Sequence, residues 1–185
     1  MLFRIKTYIN FLLRSTNQHG VHSPFVYNLV TKCFYKRSGK TISKQIDIWA
    51  KEAQGIFISS KKIKLIHRII TYLNLKQGFI KSDNKEVLRK CFELDTSITF
   101  SETDVYDFIY AENIDVNSEA LDNYIDKTHN NSVMIINQIH NDKQSLHQWS
   151  QLKNHPKVQV TIESYNLGFI FFRKEQVEEH FVIRL

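Results

Sequence analysis

Between residues 78 and 172 the chain breaks into short runs of Ile, Val, Phe and Tyr separated by stretches of helical period. The runs are Gly78-Phe79-Ile80, Ile98-Thr99-Phe100, Asp107-Phe108-Ile109-Tyr110, Val133-Met134-Ile135-Ile136, 158–162 and Phe169-Ile170-Phe171-Phe172. Their length and their β-branched and aromatic content favour strands. Helical patterns at 84–94, about 117–127 and 142–153 lie between several of them. Strands alternating with helices imply βαβ units and a largely parallel sheet. The continuous runs at 107–110, apolar after Asp107, and 133–136 suit adjacent central strands covered on both faces. The runs at 158–163 and 169–173, joined through Ser164–Gly168, read as an antiparallel hairpin. The fold class expected is therefore α/β, with a mostly parallel sheet ending in that hairpin. One link is open. Between Phe100 and Asp107 there are six residues, too few for a parallel crossover of about a dozen. Either 97–101 is not a parallel strand, or it pairs as a hairpin with its successor.

The first 75 residues have a helical period instead. Phe3, Ile5, Tyr8, Ile9, Leu12 and Leu13 recur at three- and four-residue spacing over 3–14. Gly20 is expected to stop that helix in a left-handed conformation. Ser23-Pro24 reads as an N-cap followed by the proline favoured just inside a helix. Two more helices are expected from about Ser43 to Ala53 and from Lys61 to Leu73. The organisation expected is a helical cap, 1–75, and an α/β unit, 76–185, joined as one compact body.

Composition excludes several classes. With 42% hydrophobic and 24% charged residues the chain is not of the disordered type. Five Gly and two Pro exclude collagen-like and linker architectures. Cys33 and Cys91 are too few for a disulfide framework and read as buried thiols in a reduced compartment. No run approaches the roughly 18 apolar residues of a spanning helix. The start, MLFRIKTYINFLLRST, lacks a cleavage site for a secretory signal. A cytoplasmic protein with no membrane partner is expected. Charge is uneven: residues 1–100 hold 18 basic and 6 acidic side chains (+12), and residues 101–185 hold 7 and 13 (−6). Lys32, Lys36, Arg37, Lys40, Lys44, Lys51, Lys61, Lys62 and Lys64, interleaved with Tyr35, Trp49 and Phe57, allow either a nucleic-acid footprint or a solvated helical face.

Two stretches are distinctive: His19-Gly20-Val21-His22-Ser23-Pro24-Phe25-Val26-Tyr27, and Ser132–His140 followed by Trp149, His155-Pro156, 158–162, 168–176 and His180–Arg184. Together they resemble a bacterial, HGVHSPF-containing family of class I S-adenosylmethionine-dependent methyltransferases of the O-methyltransferase type. The likeness covers the first 35 and the last 80 residues and is poor between. It implies a Rossmann-like methyltransferase fold, here truncated, since about 27 residues separate the run at 79 from that at 107. It places the cofactor-binding turn at Lys81, Ser82 and Asp83. Glu102 stands where a ribose-binding acid is expected. A divalent-cation set falls on Glu112, Asn137 and Gln138, with His140 beside it as a candidate catalytic group and His19 and His22 near the site's mouth.

The departures from that pattern carry the functional expectation. The acidic position after the first strand holds Lys81, and the glycine positions hold Asp83 and Val87. Glycine would let the backbone approach a cofactor closely and take positive φ. Two carboxylates of the cation set are replaced by the amides Asn137 and Gln138, which bind hard cations more weakly. The expected protein is thus methyltransferase-like with degraded cofactor and metal sites. It binds an unknown small molecule or protein, with S-adenosylmethionine the cofactor if there is one and no metal. The alternatives are an active O-methyltransferase with atypical cofactor binding, and a nucleic-acid-binding module built on the basic first half. No GxSxG elbow or HExxH pair supports other chemistry.

Overall fold

A computed structural model describes residues 2–52, 58–112 and 119–185. Six strands form one sheet: β1 (Gly78–Lys81), β2 (Tyr106–Glu112), β3 (Thr128–Asn137), β4 (Val160–Ser164), β5 (Leu167–Phe171) and β6 (Glu179–Val182). Their spatial order is β1-β2-β3-β5-β4-β6. β5 runs antiparallel to both β3 and β4, while β1–β2, β2–β3 and β4–β6 pair in parallel. The chain is therefore α/β with a mostly parallel sheet, as the runs predict. The hairpin closes tightly, with Ser164 opposite Leu167 and Tyr165 in the left-handed region at φ 52°.

The helices are α1 (Leu2–Arg14), α2 (Pro24–Leu29), α3 (Lys40–Glu52), α4 (Ser60–Leu73), α5 (Lys85–Glu93), α6 (Glu119–Asp126) and α7 (Lys143–Lys153). α2 starts where its cap residues place it: the Ser23 side chain accepts a hydrogen bond from the Val26 N–H, and Pro24 follows. Phe108, Tyr110, Val133, Ile135, Val160, Ile162, Phe169 and Phe171 share one core with Leu29, Ile46, Ile63, Ile66, Ile69 and Leu88 of the helices α2–α5. Alternate residues of the same strands, Ile109, Met134, Ile136 and Ile170, pack with Ile125, Trp149 and Leu152 of α6 and α7. Side chains point to opposite faces every second residue, so the centres of β2 and β3, 108–111 and 133–136, need apolar residues at every position. Cys33 and Cys91 lie in the first core, and burial pushes their thiols up to about 12 and about 11.

Three expectations change and one open link closes. The helix expected from Ser43 begins at Lys40, and its far end, Ala53, lies outside the described residues, as do Phe57 and the residues 117–118 that open the expected 117–127 helix. Gly20 is not left-handed. It ends a 3-10 turn, Gln18–Gly20, and a Cβ there would lie 2.1 Å from Thr16 Oγ1. Glycine is therefore needed for close approach rather than for positive φ. The open link at 97–101 closes on the first of its two readings: these residues are not a strand, and they form no hairpin with β2. Thr99 makes a single parallel bridge to Gln77 on the outer edge of β1, with Gly78 N–H donating to Thr99 O and Thr99 N–H to Lys76 O. Residues 82–105 thus hold one helix and one bridge. Finally β6, at the opposite edge, falls on the short run Phe181-Val182-Ile183, which is not among the expected strands. Edge strands are covered on fewer sides and need less apolar content.

Candidate functional site

Every strand but β5 points its carboxyl end the same way. In open α/β sheets that rim is where ligands bind. Register sets Lys81 beside Ala111 and Glu112 beside Asn137. Residues at matching phase face the α2–α5 side, so Ser82, Glu112 and Asn137 meet there. Ser82 Oγ donates to Glu112 Oε2 at 2.9 Å, and the Tyr110 hydroxyl donates to Glu112 Oε1 at 3.0 Å. The Asn137 amide bonds the same hydroxyl. From α4, Lys62 Nζ donates to Asn137 Oδ1 at 3.3 Å. A continuous chain of hydrogen bonds, Lys62–Asn137–Tyr110–Glu112–Ser82, therefore crosses the ends of three strands. Burial, and then the Glu112 charge, drive the Tyr110 hydroxyl far above its ordinary value, so it acts as a donor.

Lys62 is not singled out by the sequence, where it is one basic residue among many. It falls four residues before Ile66, on the apolar stripe of α4, and that phase was the available signal. Burial lowers its ammonium to about 8 from 10.5. The sign of the consequence follows from linkage. The unfolded chain holds this proton up to about pH 10.5 and the folded chain releases it near 8, so the folded state gains stability as pH rises through that window. Relative to Lys62→Met, which lacks the titration, the wild type is expected to become more stable between those values in pH-dependent urea melts. Parallel curves would remove the buried amine from the account.

The remaining predicted positions lie elsewhere. Lys81 is one residue out of phase and faces α6, its Nζ 5.8 Å from the centre of the Tyr124 ring. Asp83 is exposed in the turn after β1, and that turn contains no residue of positive φ. Val87 sits within α5 and packs on the core. Gln138 takes φ 63°, its N–H donating to Asn166 O at 2.7 Å. It lines a cavity of about 10 Å³ with Ser145, Gln148 and Trp149, on the face opposite Lys62. Glu102 lines a separate cavity of about 580 Å³ with Phe79, Thr103, Asp104, Tyr106, Tyr124 and Lys127. His19 and His22 are exposed near the Thr16–Ile183 bridge.

His140 turns toward β4 instead. Its Nε2 lies 3.1 Å from Glu163 Oε1, and its ring lies 5.1 Å from that of Tyr165. Glu163 also accepts from Arg14 (3.2 Å) and from Trp149 Nε1 (3.2 Å), and all of Glu163, His140 and Trp149 are buried. Burial pushes the Glu163 carboxyl up, but His140 above all, with Arg14 and Trp149, outweighs this and holds it below its ordinary value. Of the basic stretch, Lys62 turns inward, Lys64 pairs with Asp47 at 2.7 Å, and Trp49 packs against the core. Among the described residues no group of three His, Cys, Asp or Glu is placed to hold a metal ion, and no helix is long and apolar enough to cross a membrane.

No protein-family model matches the chain, and no curated protein matches it. Solved structures do align with it. The O-methyltransferase TomG from Streptomyces achromogenes, in complex with SAM, is 9% identical over 77% of this chain and 94% of that one, with a TM-score of 0.49. Cofactor-bound Rv0187 from MTB is 10% identical over 82% and 95%, at 0.47. The O-methyltransferase from Bacillus cereus in complex with SAH is 9% identical over 80% and 97%, at 0.46. Identities and scores at this level leave the α/β class resting on the sheet itself.

Proposed function

We propose that the protein is methyltransferase-like in fold and uses the carboxyl rim of its sheet for binding rather than for methyl transfer. The observation that carries this reading is the ammonium of Lys62 on Asn137. At that position the sequence resemblance implies a divalent cation. The side chains present do not suit one. A cation there meets a half-buried positive charge, and both oxygens of Glu112, the only carboxylate of the three, already accept hydroxyl hydrogen bonds. Ser82, at a cofactor-binding position, is engaged in the same chain. The turn after β1 takes no positive φ, and Lys81 stands where an acid is expected. The rim is internally satisfied, as a binding surface of fixed shape is.

The other reading is an active methyltransferase, and one observation favours it. An amine held to about 8 within the rim has the proton affinity of a general base that takes a proton from an acceptor hydroxyl near neutral pH. Calorimetric titration with S-adenosylmethionine and S-adenosylhomocysteine separates the two. The binding reading expects dissociation constants weaker than about 1 mM for both. Binding tighter than about 100 µM, together with methyl transfer abolished in Lys62→Met, would overturn it.

A further inference from the structure

α1 is an amphipathic helix mounted with its apolar side outward. Only Thr7 and Phe11 are buried. At 100° per residue these two lie opposite the arc of Leu2, Ile5, Ile9 and Leu13. The arc is open to solvent: Leu2 is 85% exposed, Leu13 81%, Ile9 53% and Ile5 48%. The helix does not hang loose. The Tyr165 hydroxyl donates to Arg4 O at 2.9 Å, the Arg4 guanidinium bonds Asn141, and Arg14 reaches Glu163. The Phe11 and Tyr8 rings pack on Tyr165, with centroids 5.5 and 4.9 Å away. Attachment through one polar edge and one ring leaves the apolar arc with no partner among the described residues.

We propose that α1 is an interfacial helix whose outward arc inserts into the surface of an anionic lipid bilayer. Charge decides the occupant. Arg4, Lys6 and Arg14 are the charged residues of α1, and residues 1–46 contain eight Lys and Arg and no acid. Lys6 borders the arc. A basic helix with a broad apolar face is the pattern that lies in the headgroup region, its apolar side sunk about 5–10 Å, and each basic residue near an anionic surface adds attraction. A second copy is the poorer occupant. The arc is about 20 Å long and 10 Å wide, on the order of a quarter of the roughly 800 Å² per partner that a stable dimer buries. Two-fold packing would also bring each basic border against itself. The expectation of no membrane partner rested on the length needed to span, and a helix lying in the interface needs no such length.

The test is co-sedimentation of the full chain with large vesicles. With about 30 mol % phosphatidylglycerol in phosphatidylcholine, the bound fraction at low salt is expected to exceed that on pure phosphatidylcholine about ten-fold. It is expected to fall at high salt. Lys6→Gln should weaken binding about five-fold. Ile9→Glu with Leu13→Glu should abolish it while leaving the melting curve unchanged, since both side chains face solvent. Leu13→Trp gives an independent readout: its emission should shift to the blue and be quenched by brominated lipid. No binding to anionic vesicles, or binding untouched by the double substitution, overturns the proposal. So does a concentration-dependent dimer that Ile9→Glu with Leu13→Glu dissolves in a protein that ignores vesicles, an outcome that assigns the arc to a second copy.

Discussion

Trp149→Ala is expected to lower the unfolding free energy by about 3–5 kcal/mol, the range for removing a large buried aromatic from a packed core. The indole is almost wholly buried in the core between β3, β5 and α7. Its six-membered ring lies against Gly168, where a Cβ would stand 2.5 Å from Trp149 Cζ3. Its Nε1 also donates to Glu163. The deletion thus opens a cavity and removes a donor from a buried carboxylate. The contact with Gly168 makes the claim sharper. Gly168→Ala alone should destabilise, because a buried ring has no room to retreat. In the Trp149→Ala background the same change should be neutral or stabilising, since alanine fills part of the void and suits a strand better than glycine. A double-mutant cycle in denaturant would read this as a coupling of about 1–3 kcal/mol. Additive losses would mean that the ring and the glycine do not share the space.

What the sequence discloses, and what it hides, divides along physical lines. β2 and β3 are legible by their centres, 108–111 and 133–136, because segments buried on both faces must be apolar at every position. The β4–β5 hairpin is legible because two such runs flank a turn too short for anything else. β6 and the Thr99 bridge are edges, where one free side relaxes the demand on composition. The candidate site shows the same division. The resemblance puts Lys81, Ser82, Glu112, Asn137 and Gln138 at one rim, and they are at one rim. It does not disclose phase. Neighbouring positions of an extended chain point to opposite faces, so Ser82, Glu112 and Asn137 meet on one side while Lys81 looks to Tyr124. Gln138 leaves the strand in the left-handed region and lines the cavity beside Trp149. Lys62 lies 75 residues from the asparagine it bonds. Only the docking of α4 on the sheet brings the two together, and no spacing rule reaches that far. His140 is a further case. Its place in sequence beside the rim suggests chemistry, and the structure spends its Nε2 on Glu163.

The pH response of Glu163 follows from that last arrangement. Glu163→Ala is expected to cost about 3–5 kcal/mol at neutral pH, because it strands the polar groups of His140, Trp149 and Arg14 around a buried gap. Glu163→Gln keeps the volume and one acceptor but turns an N–H toward groups that themselves donate, and should cost about 1–3 kcal/mol. The two substitutions share a signature that a packing defect would not give. The folded-state pKa of Glu163 lies below its value of 4.5 in the unfolded chain. A depressed carboxyl contributes stability that is fully present above the unfolded pKa. That contribution is lost as pH falls through the folded value. The gap between wild type and Glu163→Gln should therefore be constant from neutral pH down to about 5 and then narrow on further acidification. Urea melts at a series of pH values measure it. A gap that stays constant into acid would mean that the carboxylate draws no net stabilisation from His140 and Arg14, and that the cluster holds α1 and the β4 end by shape alone.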